Sequence, residues 1–557
     1  MGVGVALRLA TYFKNPSLGL DEARLALNIG TRSYSALLHP LDFDQSAPLL
    51  YLWLQRAVTG LFGVHDWALR LLPLAAGIWF VMVTPRVFGR ILGPGATVAA
   101  TAVAAFSPLM VQYSVSVKQY GVEACLTLLV LDLALNARDA DWHGSPAAKL
   151  AALGALLPWL MAPAGLVLCG IAASAFADLR SGREPARRFL FRTIPGWVLS
   201  VAVAYLVVYR SASTNPYLHR YWSSALLGPI GERFGTRLWA ILNENVWGLG
   251  LGYPGPPGLH PAGLGIAAVA VLALLVAGCR TLQHRHNWGI LLLATGPLLA
   301  GLGASLAGIY PLGLRLTLFA MPLIQLLLFA GLERTFKGLS DGRARRAWVV
   351  AASALAIPLA AVTLLLLARP GWPEDVRALV NDLAARRRGE AVYIFARSIP
   401  PWAFYTTHWD DPDPQRLAFL ARAASAGGGA FENAPSRSPV DRRAGSDLEY
   451  RTAAGAEIYG LPTGIEWTPN LGPFTGEPDA GWAEREADRI TSTGLPAWVL
   501  MSRFRGSERR LLFELHRRGA CATYVRELDN AMLIRYLPAS APLPGRCAGA
   551  GFTVGFK

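Results

Sequence analysis

From about residue 67 to residue 368 the chain is a succession of apolar runs separated by short polar breaks. The runs fall at about 67–85, 94–112, 118–136, 148–161, 163–178, 192–209, 262–279, 288–307, 314–332 and 347–368. A bilayer span needs about 20 apolar residues. A water-soluble fold has no way to bury ten such segments, so the sequence predicts a polytopic α-helical membrane protein. Composition agrees: 53% of residues are hydrophobic and 16% charged, against about a quarter charged in soluble domains. The runs at 148–161 and 163–178 are short and meet at Pro158 and Pro163, which points to tilted or partly re-entrant segments.

The net charge of +15 has a simple explanation. One set of loops carries Arg86 and Arg90; Arg180, Arg183, Arg187, Arg188 and Arg192; Arg280 and Arg285; and Arg334, Lys337, Arg343, Arg345 and Arg346. The alternate loops are poorer in positive charge, and positive loops stay in the cytoplasm. No basic patch is interleaved with aromatics, so the implied partner is a lipid bilayer and not nucleic acid. This orientation puts the first loop (about 14–66), the loop at 113–118, the long loop 210–261, the loop 308–313 and everything after 369 outside. The expected location is the inner (cytoplasmic) membrane, with the C-terminal region extracytoplasmic.

Met1 to Phe13 is apolar, interrupted by Arg8, and shorter than a span. It lacks the basic region and cleavage site of a signal peptide and reads as a first helix cut short. The division expected is a membrane domain over 1–370 and an α/β domain over 371–557. In the second, a helical pattern at 374–388 precedes a strand at 391–395. A loop-rich stretch over about 410–494 holds Gly427 to Gly429. A strand at 497–501, a helix at 507–518 and strands at 521–527 and 531–537 complete it. Cys125, Cys169 and Cys279 lie in apolar runs as small core residues. Cys521 and Cys547 lie in the outer region, where pairing is allowed. No phosphate-binding glycine fingerprint and no Cys/His metal pattern occurs.

Three polar clusters fall on the outer side. Asp21 and Glu22 precede Pro40-Leu-Asp-Phe-Asp44-Gln45-Ser-Ala-Pro48. Lys118, Gln119, Tyr120 and Glu123 sit at the outer end of the 118–136 run. Tyr310 and Arg315 enter the 314–332 run, and Asn215, Tyr217, His219, Arg220, Tyr221 and Trp222 offer an aromatic rim in the long loop. Ionisable residues at a membrane boundary are costly and face a cavity or a partner. Carboxylates beside a Lys and an Arg suit a reaction in which a base takes a hydroxyl proton while a phosphate leaves. Asp21, Glu22 and Asp44 could gather a divalent metal ion, a weak set of three loop carboxylates for one, and metal dependence stays open; no other cofactor is indicated.

These residues resemble the bacterial GT-C glycosyltransferases of the protein O-mannosyltransferase and lipid A aminoarabinose transferase type. The resemblance rests on Leu20-Asp21-Glu22-Ala23, the 40–48 run, Leu61-Phe-Gly63 with Leu69-Arg70-Leu-Leu-Pro73, Ser107-Pro108, Lys118-Gln119-Tyr120, and Tyr310-Pro311 with Arg315, and covers roughly residues 5–335. It implies about 10–11 transmembrane helices, a polyprenyl-phosphate sugar as donor, inversion at the anomeric carbon and an extracytoplasmic acceptor (protein, lipid or envelope glycan). It places the base at Asp21 with Glu22 in support, and the donor phosphate at Lys118 and Arg315, with Tyr310 beside them. Asp44, Gln45, Gln119, Tyr120, Glu123, His219 and Tyr221 would line the substrate. Two positions depart from the pattern: Ser116 stands where relatives often have Glu, and Glu123 where an Asp is common. The alternative classes are a transporter or flippase of lipid-linked sugars, which should show repeated halves, and a non-catalytic envelope assembly protein.

Overall fold

The computed structural model describes residues 1–231, 234–245, 248, 261–337, 339–368, 375–418, 449–452, 454–460, 481–492, 494–502, 507–528 and 530–539. The helical part begins with α1 (Gly2–Lys14), α2 (Leu20–Thr31) and α3 (Leu49–Phe62). It continues through α4 (Asp66–Phe88), α5 (Pro94–Phe106), α6 (Pro108–Tyr113), α7 (Tyr120–Asp139), α8 (Gly144–Leu160), α9 (Ala164–Arg180) and α10 (Pro185–Ala204). Three short helices follow in the long loop: α11 (Arg210–Ser213), α12 (Pro216–Tyr221) and α13 (Phe234–Asn245). The last three are α14 (Pro261–Leu306), α15 (Met321–Thr335) and α16 (Asp341–Ala368).

Among the described residues six helical segments are by themselves long and apolar enough to cross a membrane: Asp66–Phe88, Tyr120–Asp139, Pro185–Ser213, Val269–Leu306, Leu318–Thr335 and Asp341–Ala368. The other expected runs depart from single straight spans for local reasons. The run at 94–112 breaks at Ser107: its side chain caps α6 by accepting from the Met110 N–H at 3.2 Å, and Pro108 cannot extend α5. The runs at 262–279 and 288–307 share α14, which leaves helical geometry at Asn287 (φ 77°, ψ 178°). There the Asn287 side-chain oxygen accepts from the Gly289 N–H at 2.9 Å and from Arg138 at 3.0 Å. Gly278 and Gly331 let α14 and α15 touch backbone to backbone, since a Cβ on either would run into a carbonyl of the other helix. That is the small-residue packing expected of helices in lipid.

The two sets of loops gather at opposite ends of the helices. At one end Arg90 meets Asp132 at 2.9 Å, Arg138 meets Asp178 at 2.7 Å and Arg285 meets Glu333 at 2.9 Å. At the other, Asp21 meets Arg315 and Asp44 meets Asn215, both at 2.7 Å. Helix α3 has two faces. Leu49, Tyr51, Leu52 and Gln55 are buried, while Leu54, Leu61 and Phe62 are exposed. Gln55 is satisfied by donating to the Tyr51 hydroxyl at 2.9 Å and the Leu69 carbonyl at 3.0 Å.

The C-terminal part contains α17 (Val376–Arg386), β1 (Ala391–Ile394), α18 (Ile399–Thr406), β2 (Glu449–Thr452), β3 (Gly455–Tyr459), α19 (Trp482–Thr491), β4 (Ala497–Ser502), α20 (Ser507–Arg517), β5 (Cys521–Leu528) and β6 (Ala531–Leu537). They form one mixed sheet in the order β2-β3-β1-β4-β6-β5, with β1 parallel to β3 and β4 and the other pairs antiparallel. Side chains alternate across a strand, so β1 feeds two cores. Tyr393 and Phe395 pack with Trp482, Leu511 and Leu515 of α19 and α20. Val392 and Ile394 pack toward Leu379, Val380, Trp402 and Phe404 of α17 and α18. That second core does not stop at the sheet: it runs on into Leu25, Ala26 and Ile29 of α2 and Val117 before α7. The expected domain division at 370/371, Gly427 to Gly429 and Cys547 lie outside the described residues.

Candidate active site

The site is built where four chain segments meet at the Asp21 end. Helix α2 starts at Leu20, so Asp21 and Glu22 occupy its first turn, where carboxylates suit the helix dipole. Successive helical residues point about 100° apart, and the two carboxylates part company. Asp21 faces a cavity of about 600 Å³. Glu22 faces the scaffold: it accepts from the Val117 N–H at 2.7 Å and from the Gly19 N–H at 3.2 Å. Glu22 thereby ties the start of α2 to the loop that presents Lys118.

The second segment is the loop over 39–48. Asn28 pins it by accepting from the Asp42 N–H at 2.9 Å and donating to the Asp42 carbonyl at 3.2 Å. Phe43 and Asp44 are both held at positive φ, 63° and 54°. Such paired left-handed residues cost energy and concentrate at functional sites. The result aims Asp44 and Gln45 into the cavity. Asp44 accepts from the Asn215 amide at 2.7 Å, and Gln45 accepts from the Lys118 ammonium at 2.5 Å.

The third segment is the loop between α6 and α7. It brings Lys118, Gln119 and Tyr120 onto the cavity wall. The Gln119 carbonyl oxygen is buried and has no hydrogen-bond partner among the described residues, so it is available to a ligand hydroxyl. Burial pushes the Lys118 ammonium down to about 8; Asp21 opposes that fall, and Arg315 and Arg24 add to it. Glu123, one turn into α7, does not line the cavity. It is buried and accepts from the Ala162 N–H at 3.0 Å, linking α7 to the α8–α9 connection.

The fourth segment is the loop before α15 together with α12. Arg315 donates to Asp21 at 2.7 Å and to the Tyr221 hydroxyl at 3.1 Å. Its guanidinium lies 4.8 Å from the Trp222 ring centre and 5.7 Å from that of Tyr221. Cation–π contact of this kind fixes a guanidinium plane. Tyr310 lines the cavity but donates its hydroxyl to the Leu316 carbonyl at 2.7 Å. His219 also lines it, with a ring nitrogen against the Ser213 carbonyl. The remaining wall is apolar and aromatic, with Leu166, Val201, Tyr205, Tyr209 and Leu226.

Sequence reasoning left Arg24 off the candidate set. It lies three residues after Asp21 on α2, on the same helical face, and lines the same cavity. Its Nε is buried without a hydrogen-bond partner among the described residues. The i, i+3 spacing was the signal that could have found it. Among the described residues no three His, Cys, Asp or Glu side chains come together as metal ligands. Asp21, Glu22 and Asp44 are each engaged with a different partner.

Residues 46–180 match the family model described as dolichyl-phosphate-mannose-protein mannosyltransferase. No curated protein matches the chain. Among solved structures, ArnT from Cupriavidus metallidurans in the apo state is 15% identical over 97% of this chain and 98% of that one, with a TM-score of 0.48. The same organism's ArnT bound to undecaprenyl phosphate is 15% identical over 96% and 97%, with a TM-score of 0.42. An oligosaccharyltransferase from Archaeoglobus fulgidus, in complex with Zn and sulfate, is 14% identical over 72% of this chain and 61% of that one, with a TM-score of 0.42.

Proposed function

We propose that the protein is an inverting membrane glycosyltransferase that moves a sugar from a polyprenyl-phosphate donor to an extracytoplasmic acceptor, with Asp21 as general base. The observation that carries this reading is the convergence of Asp21, Lys118 and Arg315 on one cavity with a cationic, polar side and an apolar side. A lipid-linked phosphate needs both. The family match over 46–180 covers α3 to α9, including Lys118, and supports the same class.

In the proposed reaction the acceptor hydroxyl gives its proton to the Asp21 carboxylate. Its oxygen bonds to the anomeric carbon as the bond from that carbon to the donor phosphate oxygen breaks. The electron pair leaves with polyprenyl phosphate, which gains one negative charge. Lys118, Arg315 and Arg24 stabilise that charge. Asp44, Gln45, Gln119 and His219 are positioned to meet sugar hydroxyls. Tyr120, Tyr221 and Tyr310 shape the walls, and Glu22 and Glu123 hold the loops.

Hexosyl and pentosyl polyprenyl-phosphate donors, each incubated with purified protein and cell-envelope extract, test the reading. Label should pass from lipid to extract with inverted anomeric configuration. Retained configuration, or no transfer from any donor by folded protein, contradicts it.

Two expected results follow from the site and its placement. Lys118 loses its charge as pH rises through about 8 in the donor-free protein, so donor capture should weaken on the alkaline side. Donor KM should rise roughly tenfold from pH 7 to pH 9, one unit past that value. The kcat should move less, because bound phosphate restores the proton. Lys118→Arg should flatten the KM profile; a flat wild-type profile contradicts the assignment. The second concerns orientation. The α17–α20 region docks on the Asp21 end, so a cysteine-reactive, membrane-impermeant label should reach a cysteine placed at Ser492 in intact spheroplasts. Labelling only after lysis would reverse the topology.

A further inference from the structure

Arg70 lies on α4 and is about 1% exposed, yet it does not line the cavity. Its guanidinium is spent on two loops. It donates to the Val115 carbonyl at 2.7 Å, in the loop that delivers Lys118. It also donates to the Asn15 side chain at 2.9 Å, the Pro16 carbonyl at 2.5 Å and the Ser17 carbonyl at 3.3 Å, in the loop that delivers Asp21. A buried Arg so fully used fixes the relative position of the two loops. Glu22, 3.9 Å from Arg70, joins the same loops from the other side through the Val117 N–H.

The second observation comes from the C-terminal part. Asp66, one turn before Arg70 on α4 and 3.9 Å from it, is buried. It accepts from Arg377 of α17 at 3.1 Å and from the Tyr405 hydroxyl of α18 at 2.7 Å. Both residues also grip the Asp21 loop directly. Arg377 donates to the Asn15 carbonyl and, through its backbone N–H, to Ser17 Oγ at 3.3 Å. The Tyr405 hydroxyl accepts from the Leu18 N–H at 2.5 Å. The shared apolar core of α2, α17 and α18 lies beneath these contacts.

We infer that Arg70 and the Asp66–Arg377–Tyr405 latch are positioning residues for the transfer site, so that docking of the C-terminal α/β unit sets the separation of Asp21 from Lys118. This rests on the glycosyltransferase reading for its kinetic consequence, but not for its structural one. Asp66 sits between two guanidiniums, so loosening Arg377 shifts the Asp66–Arg70 pair and, through Arg70, both loops at once. A displacement of about 1 Å between reacting groups costs on the order of a hundredfold in rate.

The test compares Arg377→Ala, Arg377→Lys and Tyr405→Phe with wild type in the full chain. Arg377→Ala should lower kcat by about tenfold or more while donor KM stays within about twofold, and Arg377→Lys should recover most of the loss because an ammonium still reaches Asp66. Amide hydrogen exchange should speed up at 113–118 as well as at 15–19 in Arg377→Ala, although the hydrogen bonds of Arg377 go to Asn15, Ser17 and Asp66. Tyr405→Phe, which removes one hydroxyl and keeps the ring, should show both effects in milder form. Unchanged exchange at 113–118 overturns the inference, whether or not the protein proves to be a transferase. So does a loss of activity that only follows the folded fraction, with kcat per folded molecule unchanged. Transfer by wild type and Arg377→Ala at equal kcat sinks the inference alone, whereas an inactive wild type sinks the functional reading and leaves the exchange experiment to decide this one.

Discussion

Asp21→Asn is expected to lower sugar transfer by about a thousandfold, with the protein fully folded and the donor bound at least as well as by wild type. The size follows from the role: removing a positioned general base costs roughly 10²–10⁴ in rate. The unchanged binding follows from the geometry. An asparagine oxygen still accepts from Arg315, which now donates to Asp21 at 2.7 Å, so the loop keeps its place. Losing the carboxylate also removes competition for the Arg315 guanidinium, so phosphate should bind equally well or better. The Asp21–Arg315 pair has a mechanistic consequence of its own. On the proposed reading, the donor phosphate draws Arg315 away from Asp21 and frees the carboxylate to accept the proton. Donor binding should therefore activate the base, and acceptor deprotonation should not precede it. A loss of less than tenfold in Asp21→Asn would assign Asp21 to anchoring Arg315 and not to proton transfer.

The second large effect is expected at Arg315. Arg315→Ala should cost about 10²–10³ in kcat, the usual range when one donor to a developing anion is removed, and should raise donor KM as well. Arg315→Lys should recover only a small part. An ammonium can reach one acceptor at a time, whereas Arg315 reaches Asp21 and Tyr221 through two nitrogens and stacks near Trp222. Stability should change little. The Arg315 and Asp21 side chains are 27% and 28% exposed, and ion pairs with that much access to water are worth about 0–1 kcal/mol. Kinetics measured at equal folded amounts, with melting temperatures alongside, check this. Full activity in Arg315→Lys would mean that charge alone matters and that the two-point geometry is incidental.

The legibility of this chain in its sequence varies with the physical range of each signal. Span positions such as 67–85 and 118–136 are visible because length and hydropathy are local properties, and they fall on α4 and α7. The break at Ser107-Pro108 was equally local, but its effect on the 94–112 run needed the capping geometry to be recognised. In the C-terminal part, β1 and β4 are written as apolar runs buried on both faces. The strands β2 and β3 are not: Glu449–Thr452 and Gly455–Tyr459 are short and mix charged with apolar residues. β3 pairs with β1, and β2 adds on to β3.

The site shows the same division. Asp21, Lys118 and Arg315 could be named as ionisable residues at membrane boundaries, but nothing local says that positions 294 residues apart form an ion pair. Asp21 and Glu22 are chemically alike in the sequence, and only the direction each takes from α2 separates a cavity carboxylate from a structural clamp. Glu123 likewise looked like a cavity residue until its backbone partner, Ala162, was seen. Arg70, noted only as part of a family pattern, donates to two loops far from it in sequence. No window of sequence contains that information.

The most direct test of the central claim is a single-turnover experiment. Purified wild type and Asp21→Asn are each loaded with a stoichiometric labelled polyprenyl-phosphate sugar, mixed with envelope extract as acceptor, and quenched over time. The predicted result is formation of free polyprenyl phosphate in step with glycosylated acceptor by wild type, and retention of intact donor by a well-folded, donor-bound Asp21→Asn. Equal donor consumption by the two proteins, or donor movement across a vesicle without cleavage of its sugar–phosphate bond, would contradict the assignment of Asp21 as the base of a glycosyl transfer.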